Sequence, residues 1–152
     1  MFFIYRCLTF ILTPCFIFLI YFRLILKKEN KLRFKEKIFS SSFNAVRNNK
    51  KKLIWFHAAS IGEVLSILPL IEEIIRLNKD INFLITTVTL SSANLLEKKI
   101  SKINNITHRF FPIDTDNLSK KFLNKWKPDL ICFVDSEIWP NFLFNIKKKK
   151  FP

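Results

Sequence analysis

Two carboxylate-bearing peptides hold the residues best suited to chemistry: HAASIGEV, His57 to Val64, and DSEIWPN, Asp135 to Asn141. Each follows an apolar run, Leu53–Phe56 in the first case and Leu130–Val134 in the second. In an open α/β sheet, ligands bind at the loops beyond the strand carboxyl ends. A glutamate there, Glu63 or Glu137, could serve as a general base, and a pair can divide acid, base and positioning work. Glu63 has a second reading. Ser60-Ile61-Gly62-Glu63 is S-x-x-E ahead of an apolar periodic run, a capping box in which Ser60 accepts from the Glu63 N–H and the Glu63 side chain returns to the Ser60 N–H. The two roles coexist only where the carboxylate can also face a substrate. Glu137 has a structural alternative too, holding its loop or capping the helix that follows. Trp139 is expected to pack, and Asn141 to bond the local backbone. His57, near a strand end, is expected as a hydrogen-bonded structural residue, and His108 as a residue without an evident partner. Thr86, Thr87 and Thr89 end a strand near the same place; their hydroxyls could bind phosphate or sugar, although β-branched residues in a strand need no such explanation.

The elements that must position these groups follow from periodicity. Apolar, β-rich runs at Leu53–Ala58, Asn82–Thr89, Thr107–Ile113 and Leu130–Val134 predict four strands. Val64–Leu77 carries Leu65, Leu68, Ile71, Ile74 and Ile75 at helical spacing, and shorter helical patterns cover Ser92–Lys102, Asn117–Trp126 and Trp139–Lys149. Pro140 is tolerated in a first turn. The alternation predicts an α/β fold, a Rossmann-like parallel sheet with right-handed crossovers. Strand order 3-2-1-4 would set strands 1 and 4 side by side, with Glu63 and Glu137 on one crevice. Gly62 is the only glycine, which excludes both the GxGxxG dinucleotide loop and the P-loop.

The 152 residues allow one domain with an appendage, and the net charge of +14 points to an anionic partner. Aromatic–basic interleaving is absent from the strands, which argues against nucleic acid. Cys7, Cys15 and Cys132 have no metal spacing and read as reduced structural thiols. From Cys7 to Phe22 no residue is charged, a stretch of roughly 24 Å as a helix against a hydrocarbon core of about 30 Å. Lys27, Lys28, Lys31, Arg33, Lys35 and Lys37 follow at once. Residues 1–26 are therefore expected to be a hydrophobic membrane anchor with the rest of the chain cytoplasmic, and the helix either spans the bilayer or lies in its interface. Residues 27–52 form a basic juxtamembrane segment, of which Ser40–Lys52 is polar, aperiodic and expected as a linker. Residues 53–152 form the Rossmann-like domain.

LIWFHAASIGEV, LITTVTLSSA (Leu84 to Ala93), FFPIDT (Phe110 to Thr115) and FVDSEIWPN, after a hydrophobic leader and RFKEK (Arg33 to Lys37), make the chain resemble the N-terminal half of a 3-deoxy-D-manno-octulosonic acid (Kdo) transferase. The resemblance implies the N-terminal, acceptor-binding domain of a GT-B glycosyltransferase. It implies transfer of Kdo from CMP-Kdo to a lipid A precursor at the cytoplasmic face of the inner membrane, with inversion and with no metal or other cofactor. It matches Glu63 to the general base and Glu137 to a second, positioning carboxylate. Ser60, Gly62, Thr87 and Thr89 are expected around the substrate. Anionic membrane lipid is a further expected partner. The resemblance also implies that a C-terminal donor domain lies outside these residues, so that the chain alone is inactive. A different function class fits the charge as well: a non-enzymatic, membrane-anchored basic module binding anionic lipid.

Overall fold

The structure, a computed structural model, describes residues 2–43, 51–101, 103–135 and 138–149. The strands are β1 Lys52–His57, β2 Ile81–Thr87, β3 Ile106–Phe110 and β4 Leu130–Phe133, and the helices are α1 Phe2–Ile25, α2 Ile61–Leu77, α3 Leu90–Ile100, α4 Asp116–Trp126 and α5 Pro140–Lys149. They fall into two compact units, one built on the sheet with α2 and α3, the other from α1, the segment after it, α4 and α5.

In the sheet unit all pairings are parallel, as the alternation predicts, and the order is β3-β2-β1-β4, the arrangement that sets β1 beside β4. β1 is central, pairing Lys52–His57 with Ile81–Thr86 on one side and Ile54–His57 with Leu130–Phe133 on the other. Burial on both faces explains why β1 and β2 read as continuous apolar runs rather than as alternating ones. Phe56, Phe83 and Ile85 form one core with Val64, Ile67, Leu68 and Ile71 of α2 and Leu96 of α3. On β1, Trp55 stacks on Phe111 at 6.2 Å and meets Phe133 at 5.6 Å.

Element limits move where capping chemistry intervenes. α2 starts at Ile61, ahead of the apolar stripe, because Ser60 takes the N-cap and the next three residues complete the first turn. β2 stops at Thr87, since Thr89 caps α3 by accepting from the Ser92 N–H at 3.2 Å. β3 stops at Phe110 instead of Ile113; the Phe111 N–H still reaches the Thr87 carbonyl at 2.9 Å, but Pro112 has no N–H to continue the ladder.

In the second unit, α1 lies along its neighbours by one face. Ile17, Ile20 and Leu24 pack with Phe34, Ile38 and Ile113. The Tyr5 hydroxyl donates to Asp114 Oδ2 at 3.0 Å, Arg6 pairs with Asp116, and Asn141 Nδ2 donates to Thr9 Oγ1 at 3.3 Å. The basic segment is folded: Arg23 and Lys37 donate to the buried Glu29 carboxylate at 2.8 and 2.6 Å, and Arg33 pairs with Glu36 at 2.7 Å. Burial pulls the Lys37 ammonium down in pKa, against the opposing pull of Glu29. The expected linker begins as a 3-10 turn, Ser40–Phe43, whose Phe43 meets Phe122 edge-on at 5.3 Å; residues 44–50 of it lie outside the described residues. Asp114 accepts from the Asn141 and Phe142 N–H groups at 3.1 and 3.0 Å and so caps α5. Burial raises its pKa, and the hydrogen bonds it accepts oppose that rise.

Candidate functional site

The carboxyl ends of β1 and β2 and the N-termini of α2 and α3 meet in one hydrogen-bonded corner. Ala58 N–H donates to the Thr86 carbonyl at 2.9 Å, extending the ladder one residue past β1. Ser92, fully buried on α3, donates through Oγ to the Ala59 carbonyl at 3.1 Å and sits 2.7 Å from Thr89 Oγ1. These bonds fix the turn from which α2 starts.

Glu63 occupies that turn and is half-buried. Its N–H donates to Ser60 Oγ at 3.3 Å, the expected half of the capping box. The returning bond differs from the expected one: Glu63 Oε2 accepts from the Ala59 N–H at 2.9 Å, not from Ser60. Ala59 immediately precedes the N-cap, and a glutamate in the first turn reaches its N–H. One carboxylate oxygen is thus fixed, while Oε1 has no hydrogen-bond partner among the described residues. A half-anchored carboxylate at a strand end is held in direction and retains an oxygen able to accept a proton. The capping bond therefore uses only one of the two carboxylate oxygens.

Gly62 is exposed beside it. A Cβ built on Gly62 meets nothing within 4 Å, and its φ is an ordinary one. Neither packing nor backbone conformation requires glycine there. Ser60 is exposed on the same turn. Glu137, the second expected carboxylate, lies outside the described residues, as does Ser136. The described approach to it is specific: Val134 N–H donates to the His57 carbonyl at 2.9 Å, and Asp135 then turns left-handed at φ 63°, a conformation aspartate tolerates better than most residues. Trp139 is half-buried.

The remaining side chains are framework. Thr87 is fully buried, with Oγ1 2.9 Å from His108 Nε2, so its hydroxyl braces β2 rather than facing a ligand. Thr89 is committed to its cap. His57 is fully buried, 2.9 Å from Thr86 Oγ1 through Nδ1 and stacked on Phe111 at 4.0 Å. Burial lowers its pKa to about 4, against a smaller opposing hydrogen bond to Thr86, so it is neutral at physiological pH. Trp55 Nε1 donates to the same Thr86 hydroxyl at 2.9 Å. His108 does have partners, Thr87 and Glu97, the latter at 3.1 Å. The signal in the sequence was the spacing of His108 two residues from both Ile106 and Phe110, which puts it on the same, buried face of β3. Among the described residues the Asn141 side chain has no local backbone partner; its Nδ2 reaches the Asp114 carbonyl at 2.7 Å, far back in sequence. Among the described residues no three His, Cys, Asp or Glu side chains converge as a metal site would need.

A parallel sheet of this order, with a helix-capping carboxylate just past the end of β1, defines a Rossmann-like α/β domain. The family model described as 3-deoxy-D-manno-octulosonic-acid transferase (kdotransferase) matches residues 32–152, and the chain belongs to that family. It is 39% identical over 146 residues to the 3-deoxy-D-manno-octulosonic acid transferase of Rickettsia bellii, covering 96% of this chain and 34% of that protein. The Rickettsia typhi protein of the same name is 48% identical over 94 residues, 62% of this chain and 20% of that protein. A probable mitochondrial 3-deoxy-D-manno-octulosonic acid transferase of Arabidopsis thaliana is 33% identical over 140 residues, 92% of this chain and 30% of the plant protein. The chain therefore spans about a third or less of the length of these relatives.

Proposed function

We propose that this chain forms the acceptor-binding half of a GT-B glycosyltransferase that moves Kdo from CMP-Kdo onto a lipid A precursor in lipopolysaccharide synthesis, at the cytoplasmic face of the inner membrane. Membership of the Kdo transferase family supports the donor sugar and the reaction class. The observation that carries the assignment of chemistry is Glu63, with one oxygen tied to Ala59 N–H and the other without a partner among the described residues, beside a glycine that no fold constraint demands.

In this reading the acceptor sugar hydroxyl approaches over Gly62. Glu63 Oε1 takes its proton as the hydroxyl oxygen bonds to the Kdo anomeric carbon from the face opposite the nucleotide, which inverts that centre. The bond to the CMP phosphate breaks with its electron pair on oxygen. CMP departs as a phosphate monoester, so the leaving group calls for stabilisation of negative charge more than for a proton. The capping bond on Oε2 holds the carboxylate in one direction, and the proton goes to the other oxygen. Glu137 is assigned to positioning, as are Ser60 at the cap, Thr87 through His108 and Thr89 through α3. The nucleotide is assigned to residues of a second domain.

A chimaera of residues 1–152 with the C-terminal portion of the Rickettsia bellii relative tests this. Turnover of CMP-Kdo with the lipid A precursor by the chimaera, and none by residues 1–152 alone, is the expected result. Steady turnover by residues 1–152 alone would overturn the assignment of the donor site, and a folded but inert chimaera that binds no acceptor would overturn the assignment of this half.

A further inference from the structure

Helix α1 is long and apolar enough to cross a membrane by length and composition. Its contacts decide how it can meet one. Tyr5, Arg6 and Thr9 in its first turns are tied to Asp114, Asp116 and Asn141. Ile17, Ile20 and Leu24 in its last turns are packed on Phe34, Ile38 and Ile113. From Tyr5 to Leu24 the helix rises about 28 Å, close to the whole hydrocarbon thickness of about 30 Å. A transmembrane orientation would therefore either strip these contacts or draw Asp114, Asp116 and the charged helix α4 into hydrocarbon, where unsolvated charge is costly.

Among the described residues the opposite face carries no such ties. Ile4, Ile11, Phe18 and Ile25 recur every seven residues and are 69, 70, 68 and 77% exposed, so one apolar line runs the length of the helix. An open groove of about 720 Å³ lies along α1 between Phe10, Pro14, Ile17 and Tyr21. Directly after the helix come Lys27, Lys28, Lys31 and Lys35, all exposed, and Leu32, 89% exposed among them. The acids of that segment, Glu29 and Glu36, are buried and spent on Arg23, Lys37 and Arg33. Charge is thus sorted: both acids are buried on cations of their own, and four lysines face outward next to an apolar line. A second copy of this chain would bring like charges together, whereas an anionic bilayer matches both features.

We infer that α1 lies in the plane of an anionic membrane interface, its Ile4–Ile11–Phe18–Ile25 line sunk among acyl chains and Lys27, Lys28, Lys31 and Lys35 on lipid phosphates. The inference rests on the membrane location proposed above but not on the transfer chemistry. An interfacial helix of this kind buries its apolar face roughly 5–10 Å below the headgroups.

The test uses the full chain on phosphatidylcholine vesicles containing phosphatidylglycerol. Spin labels are placed singly at positions 4, 11, 18 and 25 after Cys7→Ser, Cys15→Ser and Cys132→Ala, with collision by oxygen and by a polar nickel chelate reporting depth. All four are expected at one shallow depth, within about 5 Å of each other. In parallel, an N-terminal peptide tag on the chain with its native cysteines should be clipped by protease added outside the vesicles. Labels 11 and 18 near the bilayer centre with a protected tag would show a spanning helix and overturn the inference. Labels open to water at all four positions would overturn the membrane location itself, and labels shielded from both reagents would show a protein partner in place of lipid.

Discussion

Replacing Glu63 by glutamine separates the two roles that the α2 N-terminus places on one side chain. The glutamine carbonyl can still accept from the Ala59 N–H, so the turn keeps its hydrogen bond. What is lost is the charge on that bond and its interaction with the helix N-terminus, worth about 0.3–1 kcal/mol. Glutamine cannot accept the acceptor hydroxyl's proton. Turnover is expected to fall by roughly 10²–10⁴, or about 3–5 kcal/mol in the barrier. KM for the acceptor should stay close to its original value, because the missing interaction belongs to the transition state. Glu63→Ala provides the contrast in stability. Ala59 is only 7% exposed, so alanine leaves its N–H buried without a partner, at about 1–3 kcal/mol. The assay is steady-state transfer by the chimaera described above, alongside urea melts of residues 1–152 for both variants. Near-normal turnover by a stably folded glutamine variant would refute the reasoning: Glu63 would be a cap alone, and the base would be sought next at Glu137.

Gly62→Ala should fold at least as well, with up to about 1 kcal/mol gained from helix propensity, since its Cβ meets nothing; in the chimaera its KM for the acceptor should rise, and unchanged kinetics would remove Gly62 from the substrate path. His57 carries a pH signature. Its pKa in the fold, about 4, lies below the ordinary value of 6.5, so the unfolded chain binds the proton first and stability falls as pH drops from about 6.5 to 4, by roughly 3 kcal/mol at most. Urea melts at pH 7 and 4.5 should show this loss in the native chain and a smaller one in His57→Gln; equal losses would refute it. Asp114→Ala removes the acceptor for two α5 N–H groups and for Tyr5, and should cost about 2–4 kcal/mol with loss of near-ultraviolet ellipticity at the Tyr5 contact, whereas a cost within about 0.5 kcal/mol would show that the α5 cap is not needed.

The sheet was legible along the chain because a parallel sheet buried on both faces demands apolar runs in β1 and β2, and helical stripes at period 3.6 must alternate with them. The capping of α2 was legible for a similar reason: Ser60 and Glu63 act within one turn, over a distance that sequence spacing fixes. Kinship to Kdo transferases also stood in the linear motifs. Contacts between distant residues could not be read this way. That Glu63 reaches Ala59 rather than Ser60 depends on the turn's φ and ψ. That Thr87 braces His108, and Asn141 holds Asp114, depends on strands and helices brought side by side by the topology. The same limit applies to α1. Composition marks an apolar helix of near-membrane length, and a helix that spans and one that lies flat share it. Only the pairing of Tyr5, Arg6 and Thr9 with residues more than a hundred positions away shows which face is committed to protein and which is left exposed, because hydrophobic length is local information and the partner of a buried polar group is not.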